Sequence, residues 1–195
     1  MVTNKAFILG NGESRTWIDP YVLKEHGKVW SCNASYRDFN PDVLVAVDTK
    51  MITEIEESGY LDTFEGEHYF YPKKDEEGQH SLFRFGHSSG PWAALISLTH
   101  DEPDELYLIG HDIYTNSPQN HINNIYAGSE NYVRKNHPNH GPDNWVAELM
   151  RLFYNFPDVK FYHLCPIKKP PEWEGVPNLI YLTLPQLWYH LNGLV

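Results

Sequence analysis

Short, unbroken apolar runs recur along the chain, separated by amphipathic or irregular stretches. The first is Ala6, Phe7, Ile8 and Leu9, four residues with no helical spacing. A run of this kind reads as a strand buried on both faces, as in a parallel sheet. Residues 29–33, 43–48, 106–112 and 160–165 repeat the pattern, and residues 68–71 and 179–184 form weaker aromatic or apolar versions of it. Residues 43–48 stay apolar until Asp48 and so belong near the centre of the sheet.

Between these runs the period lengthens to that of helices. Asp19-Pro20 reads as an N-cap with proline at the first helical position, opening a helix through Val22 and Leu23 that stops at Gly27. Residues 50–58 place Met51, Ile52 and Ile55 on one face. Ser88-Ser89-Gly90 precedes an apolar helix over 91–98. Residues 142–155 carry Trp145, Val146, Leu149, Leu152 and Phe153 as a buried stripe, and 184–194 end the chain in a short aromatic helix. Strands alternating with helices predict an α/β class: a single Rossmann-like domain over residues 1–195, with an open, mostly parallel sheet and helices on both faces. Residues 113–141 interrupt this order with a long stretch rich in Asn, His, Tyr and Ser, and loops of that length in a compact domain are usually functional lids or disordered.

Composition narrows the partners. The chain has 195 residues, 41% of them hydrophobic, which is enough for one full core. No apolar stretch approaches the ~20 residues that span a bilayer, and no charged segment leads into an apolar one at the start, so a soluble, cytoplasmic protein is expected. With 26 acidic against 15 basic residues the net charge is −11, which argues against a surface for duplex nucleic acid. Lys73-Lys74 and Lys168-Lys169 read as solvated loop positions. Cys32 and Cys165 both fall in predicted strands, so buried thiols are expected rather than a disulfide, and neither has zinc-finger spacing.

Candidate chemistry gathers at the strand ends. Gly10 and Gly12 permit a tight turn, and free N–H groups in such a turn ahead of a helix suit a phosphate. In open α/β sheets ligands bind outside the carboxyl ends of the strands. Those ends carry Asn11, Asn33, Asp48 and Gly110-His111-Asp112, with Ser88-Ser89-Gly90 opening a helix. A dinucleotide site would want an acid after the second strand to hold a ribose; Asn33 stands there instead, and its amide, which donates and accepts together, suits a base edge or a phosphate oxygen rather than a ribose diol alone. With 11 histidines a metal site is a rival, from His137, His140 and His111-Asp112, but Pro138 and the loop placement speak against a preformed one. No cofactor or metal is expected.

Five segments in the same order resemble bacterial sialyltransferases that use a CMP-activated sugar. They are Gly10-Asn11-Gly12-Glu13-Ser14, Cys32-Asn33, Ser88-Ser89-Gly90, residues 107–114 and Leu164-Cys165-Pro166. Motility-associated glycosyltransferases and archaeal pterin pyrophosphokinases share the glycine-turn motif and a similar sheet. The resemblance covers most of the chain outside residues 56–85 and the tail. It implies a glycosyltransferase that moves a sugar from a nucleotide donor to an acceptor hydroxyl on a glycan or small molecule, by direct displacement without metal. It further implies that Asn11, Asn33 and Ser89 contact the nucleotide, with Tyr114 donating to its phosphate; Gly10, Gly12, Ser14, Asp48, Ser88, Gly90 and Asp112 complete the expected nucleotide site. The catalytic base falls at His140, where the helix over 142–155 would keep an imidazole neutral. His111 and His137 are its competitors, but Asp112 should point to the opposite face from His111 and so orient it poorly.

The chain also departs from the pattern. The family's arginine before the Ser-Gly pair is replaced by Gly86, with Arg84 two residues earlier. Asn120 stands at the second phosphate tyrosine, leaving Tyr126 or Tyr132 to substitute, and Asp48 stands where the family has asparagine. The loop over 115–140 is expected to move and to close over ligand. A pyrophosphokinase or other nucleotide-dependent enzyme, or a non-catalytic nucleotide-binding module, are the alternatives on the same scaffold. The donor base, the acceptor and any oligomeric state are left open by the sequence.

Overall fold

The computed structural model describes residues 3–70, 88–139, 142–164 and 168–193. Its framework is one sheet of seven strands: β1 (Lys5–Leu9), β2 (Lys28–Cys32), β3 (Val43–Ala46), β4 (Glu67–Phe70), β5 (Glu105–Ile109), β6 (Lys160–Leu164) and β7 (Leu179–Leu182). The spatial order is β4-β3-β2-β1-β5-β6-β7, and every neighbouring pair is parallel. This is the Rossmann arrangement with one added edge strand, and its order reverses between β1 and β5. Among the described residues, no helix is long and apolar enough to cross a membrane.

Successive residues of a strand face opposite sides, so an apolar run feeds two cores. Ile8, Trp30, Val43, Val45, Leu106, Leu108 and Phe161 pack beneath α3 (Ser89–His100) and α4 (Pro142–Asn155). Phe7, Leu9, Val29, Tyr107, Ile109 and Tyr162 face the other way, against Leu23 of α1 (Pro20–Leu23) and Leu187 and Leu191 of α5 (Leu184–Leu191). Leu44 and Ala46 complete that side beneath Met51 and Ile55 of α2 (Thr49–Glu57). Phe153 is 1% exposed and lies edge-on to both Phe161 and Trp173, so truncating it to alanine should cost about 3–5 kcal/mol. Sheet and helices are thus clamped on both faces, which fixes where the strand ends stand.

The expected elements recur with shifted boundaries. The Asp19 carboxylate accepts from Tyr21 N at 3.0 Å, but the helix it caps is only the four residues of α1. The segment after the glycine turn, Glu13–Trp17, is a 3₁₀ helix. Two bonds shape its start: Ser14 N and Oγ both donate to Asp112, at 2.8 and 2.5 Å. Asn33, expected to close the second strand, instead opens a 3₁₀ turn over Asn33–Arg37 with φ of +52°. Asp48 is likewise past the end of β3, at the N-cap of α2. At the C-terminal helix Thr183 and Gln186 form a capping box, which ends β7 at Leu182. Cys32 is a buried free thiol, pushed up to about 12 by loss of solvent; Cys165 and Lys73-Lys74 lie outside the described residues.

Candidate functional site

A cavity of about 570 Å³ opens at the carboxyl ends of β1, β2, β3 and β5, at the point where strand order reverses. Gly10, Asn11, Gly12, Asn33, Asp48, Ser88, Ser89, Gly90, Asp112 and Tyr132 line it together, as do His111, Lys50, Asn123, Asn124 and Asn131. Val47, Ile113, Ile122, Trp145 and Leu149 give it an apolar wall. Three further expected residues stand back from it. Ser14 is buried under Asp112, Tyr126 bonds Arg15 and Asp38, and Tyr114 packs with Lys168 Nζ 5.0 Å over its ring. His140, Arg84 and Gly86 lie outside the described residues.

The glycine turn joins two strands more closely than any other residue type allows. Gly10 N donates to Ile109 O at 2.7 Å and Gly12 N to Gly110 O at 2.8 Å. A methyl group on Gly10 would lie 2.4 Å from Gly110 O, and one on Gly12 would lie 2.6 Å from Asp112 Cγ. Glu13 N donates to Asn123 Oδ1 at 2.8 Å and Ser14 N to Asp112 Oδ2. These N–H groups are therefore occupied, and the phosphate cradle expected of Gly10 and Gly12 is not formed by them. Anion-seeking donors come instead from α3. Its first N–H groups, those of Ser89 and Gly90, precede any intrahelical acceptor, the Ser88 side chain makes no cap bond, and all three residues line the cavity.

Oriented carboxamides make up much of the polar lining. Arg15, 4% exposed, donates from Nη1 to Asn11 Oδ1 at 3.3 Å and to Tyr126 Oη at 2.7 Å. With its oxygen taken, the Asn11 amide turns Nδ2 toward Cys32 O at 3.1 Å and Tyr132 Oη at 3.2 Å. Asn124 is turned the same way: its Oδ1 accepts from Tyr126 N at 3.0 Å, and its Nδ2 meets Tyr132 Oη at 3.4 Å. The Tyr132 oxygen thus accepts from two amides, and the Asn33 side chain is a third hydrogen-bonding neighbour. Burial pushes the phenol's pKa up while the amide donors pull the other way, so it is protonated at neutral pH.

The histidine at the end of β5 is held by backbone carbonyl contacts. His111 Nδ1 faces Ile109 O at 3.3 Å, which leaves Nε2 as the unprotonated nitrogen, buried beside Gly90. His163 Nε2 donates to His111 O at 2.9 Å. Loss of solvent pushes His111 down to about 3 and His163 down to about 4, so both are neutral. Asp112 serves Ser14 rather than His111, and both residues line the cavity past the end of β5. The two cavity carboxylates, Asp48 and Asp112, are both raised by burial. No group of three His, Cys, Asp or Glu side chains placed to hold a metal occurs among the described residues.

The long segment after β5 is drawn onto the turn by side chains that local pattern does not reveal. Ile125 N donates to Asn11 O, and Arg37 holds Ser129 Oγ and Glu130 O, both at 2.7 Å, while pairing bidentately with Glu54. Asn131 Nδ2 reaches Glu54 Oε2 at 2.9 Å. Arg15, Arg37, Asn123, Asn124 and Asn131 were absent from the sequence-derived site. The available signal was an arginine four residues after Asn11 in a segment otherwise fit for burial, and it names no partner.

No family model matches the chain, and no curated protein matches it. Among solved structures it is similar to the sialyltransferase CST-II, crystallised as an asparagine-to-alanine variant in complex with CMP. The TM-score is 0.56 and the identity 16%, over 90% of this chain and 87% of that one. At that identity the likeness is one of fold.

Proposed function

We propose that the protein is a glycosyltransferase that moves a sugar from a nucleotide-activated donor to an acceptor hydroxyl by direct displacement, without a metal. The observation that carries this reading is the cavity at the strand-order switch, which offers fixed neutral donors in the first N–H groups of α3 and the phenol of Tyr132, with Lys50 beside them. Neutral donors of this kind stabilise a departing nucleotide phosphate where charge develops. The apolar wall with Trp145 offers a face for a base, and the fold is that of a protein crystallised with CMP. A phosphoryl-transfer enzyme is less well served, since the glycine-turn N–H groups are already bonded within the protein and Asp112 is held by Ser14.

In this reading Ser89, Gly90 and Tyr132 hold the phosphate, while Asn11 acts through Tyr132. Tyr114, Tyr126 and Ser14 support the walls. His140, which lies outside the described residues and follows the buried Asn139, is the proposed base that takes the acceptor's proton. CMP, UMP, AMP and GMP titrated calorimetrically in EDTA test the site, and hydrolysis of CMP- and UDP-sugars tests the chemistry. Binding of at least one nucleotide is expected, and it should weaken in Tyr132→Phe and in Ser89→Pro, which removes the first helical N–H at a position where proline is tolerated. His140→Ala should keep that affinity and lose about 10²–10⁴ in transfer rate. Absence of binding by any nucleotide, or binding only with magnesium, would overturn the reading.

A further inference from the structure

Asn33 and Asp48 form an edge of the cavity that accepts hydrogen bonds, unlike the N–H-rich start of α3. Asn33 is 7% exposed and held at φ of +52°, a backbone state that costs energy and is kept only where its surroundings fix it. Its Nδ2 donates to Asp48 Oδ2 at 3.3 Å, which assigns the amide's orientation. Asn33 Oδ1 is then a buried acceptor without a hydrogen-bond partner. Asp48 sits at the N-cap of α2, yet its carboxylate makes no cap bond, and Asn33 is its one hydrogen-bond partner among the described residues. Lys50, two residues on, lines the same cavity but forms no ion pair with Asp48.

Two acceptor oxygens on one edge require donors from whatever fills the space. A phosphate or a carboxylate offers none, and a base edge mixes donors with acceptors. A vicinal diol offers two adjacent O–H groups. In dinucleotide-binding sheets an acid beyond the second strand takes that role toward ribose. Here the residue just past β2 is Asn33, and the acid comes from the next strand outward: β3 pairs with β2 in register, Cys32 opposite Val45, and delivers Asp48 to the Asn33 amide. We propose that Asn33 Oδ1 and Asp48 together accept the 2′- and 3′-hydroxyls of the nucleotide's ribose, making the site selective for ribonucleotides. This assignment deepens the glycosyltransferase reading and rests on it. Burial already raises the Asp48 pKa, and two hydroxyl donors would relieve that penalty on its charged form.

The test pairs each nucleoside monophosphate with its 2′-deoxy counterpart, CMP against dCMP foremost, by calorimetric titration of the full chain. A hydrogen bond to a charged group sets the expected preference for the ribo form at about 10- to 100-fold. Asp48→Ala should bring the two forms to parity at the weaker affinity, and Asp48→Asn, which keeps one acceptor oxygen, should fall between. Equal binding of CMP and dCMP by the unmodified protein would overturn the ribose assignment alone and leave nucleotide binding standing. A preference that survives in a folded Asp48→Ala variant would overturn it too. Failure of every nucleotide to bind would overturn the functional reading and this assignment with it.

Discussion

Replacing Gly110 with alanine isolates the contact on which the cavity depends. Gly110 has φ of +70°, and an added methyl group would lie 2.7 Å from Gly10 O and 2.9 Å from Arg15 Cβ. Gly175 provides the control, with φ of +78° and nothing within 4 Å of the same added group. The left-handed backbone costs alanine about 1–2 kcal/mol at either position. The lower entropy of the unfolded alanine chain offsets part of this equally in both. Gly110 alone adds the clash, and forcing atoms into a packed interior costs about 1–3 kcal/mol. Neither neighbour can yield cheaply: one is the carbonyl of a central strand end, and the other is the first carbon of a buried side chain. Gly110→Ala should therefore unfold at a urea midpoint corresponding to about 1–3 kcal/mol less stability than Gly175→Ala, with unchanged m. In melting temperature the gap is about 2–12 °C for a chain of this size. If the two variants lose equal stability, the close joining of β1 and β5 is not what demands glycine there, and the argument fails.

Arg15→Met should cost about 2–3 kcal/mol through the bonds to Asn11 and Tyr126, the half-exposed Asp38 adding little, and it should speed proteolysis between residues 113 and 139. Nucleotide should slow that cleavage in the unmodified protein; a rate that ignores both mutation and ligand would refute the loop's attachment. Tyr132→Phe removes the donor facing the cavity and should reduce transfer by about 10²–10³-fold, as loss of one fixed transition-state donor does, with a smaller effect on folding. Acid should destabilise the protein through His111 and His163. Their folded pKa values lie near 3 and 4, below the ordinary 6.5, so across that window the unfolded chain binds more protons. Stability is then fully present above about pH 6.5 and falls with decreasing pH, by up to about 1.4 kcal/mol per pH unit for each imidazole. Asp48 and Asp112, whose pKa values are raised, act with the opposite sign nearer the carboxylate range. His163→Gln should flatten the slope of urea midpoint against pH between 6.5 and 5; an unchanged slope would remove His163 from the account.

The sheet was legible because short apolar runs recur at strand length between turn signals, whereas the longer apolar run over 91–98 opens on a proline and reads as a helix. Val43 to Ala46 is apolar throughout because both sides of β3 are covered, by α3 on one and α2 on the other. Boundaries were less legible where a distant side chain sets them. Cys32 and Asn33 both suit a strand locally, yet Asn33 turns to left-handed φ at its start and meets Asp48. The irregular segment after β5 announced its chemistry through amides and phenols but not its partners. Arg15 and Tyr126 are 111 residues apart, and Asn11 and Tyr132 are 121. A periodicity argument reaches one or two turns of helix, not that far.

The glycine turn shows why a correct motif can carry an incomplete reason. Gly10 and Gly12 are where a phosphate loop would want them, and both line the cavity. What they approach within 3 Å, however, is the end of β5, and their N–H groups already serve Ile109 and Gly110. The same residue type at the same place thus builds the junction of two strands, and the N–H groups at the start of α3 are the ones proposed above for the anion. That division has a consequence for the chemistry. In the proposed reading, helix N–H groups and a phenol give the phosphate neutral, fixed donors, with Lys50 as the cation on the same cavity wall. Such a setting would suit a leaving group from which a sugar is taken, as proposed above, better than a phosphoryl centre under attack. Gly90→Ala separates the two roles. Its added methyl group would sit 2.7 Å from His111 Nε2, at the mouth of α3 rather than at the β1–β5 junction. It should cost nucleotide affinity while sparing more stability than Gly10→Ala, whose methyl group meets backbone. Equal losses of affinity and stability in the two variants would mean that the turn and α3 share a single role.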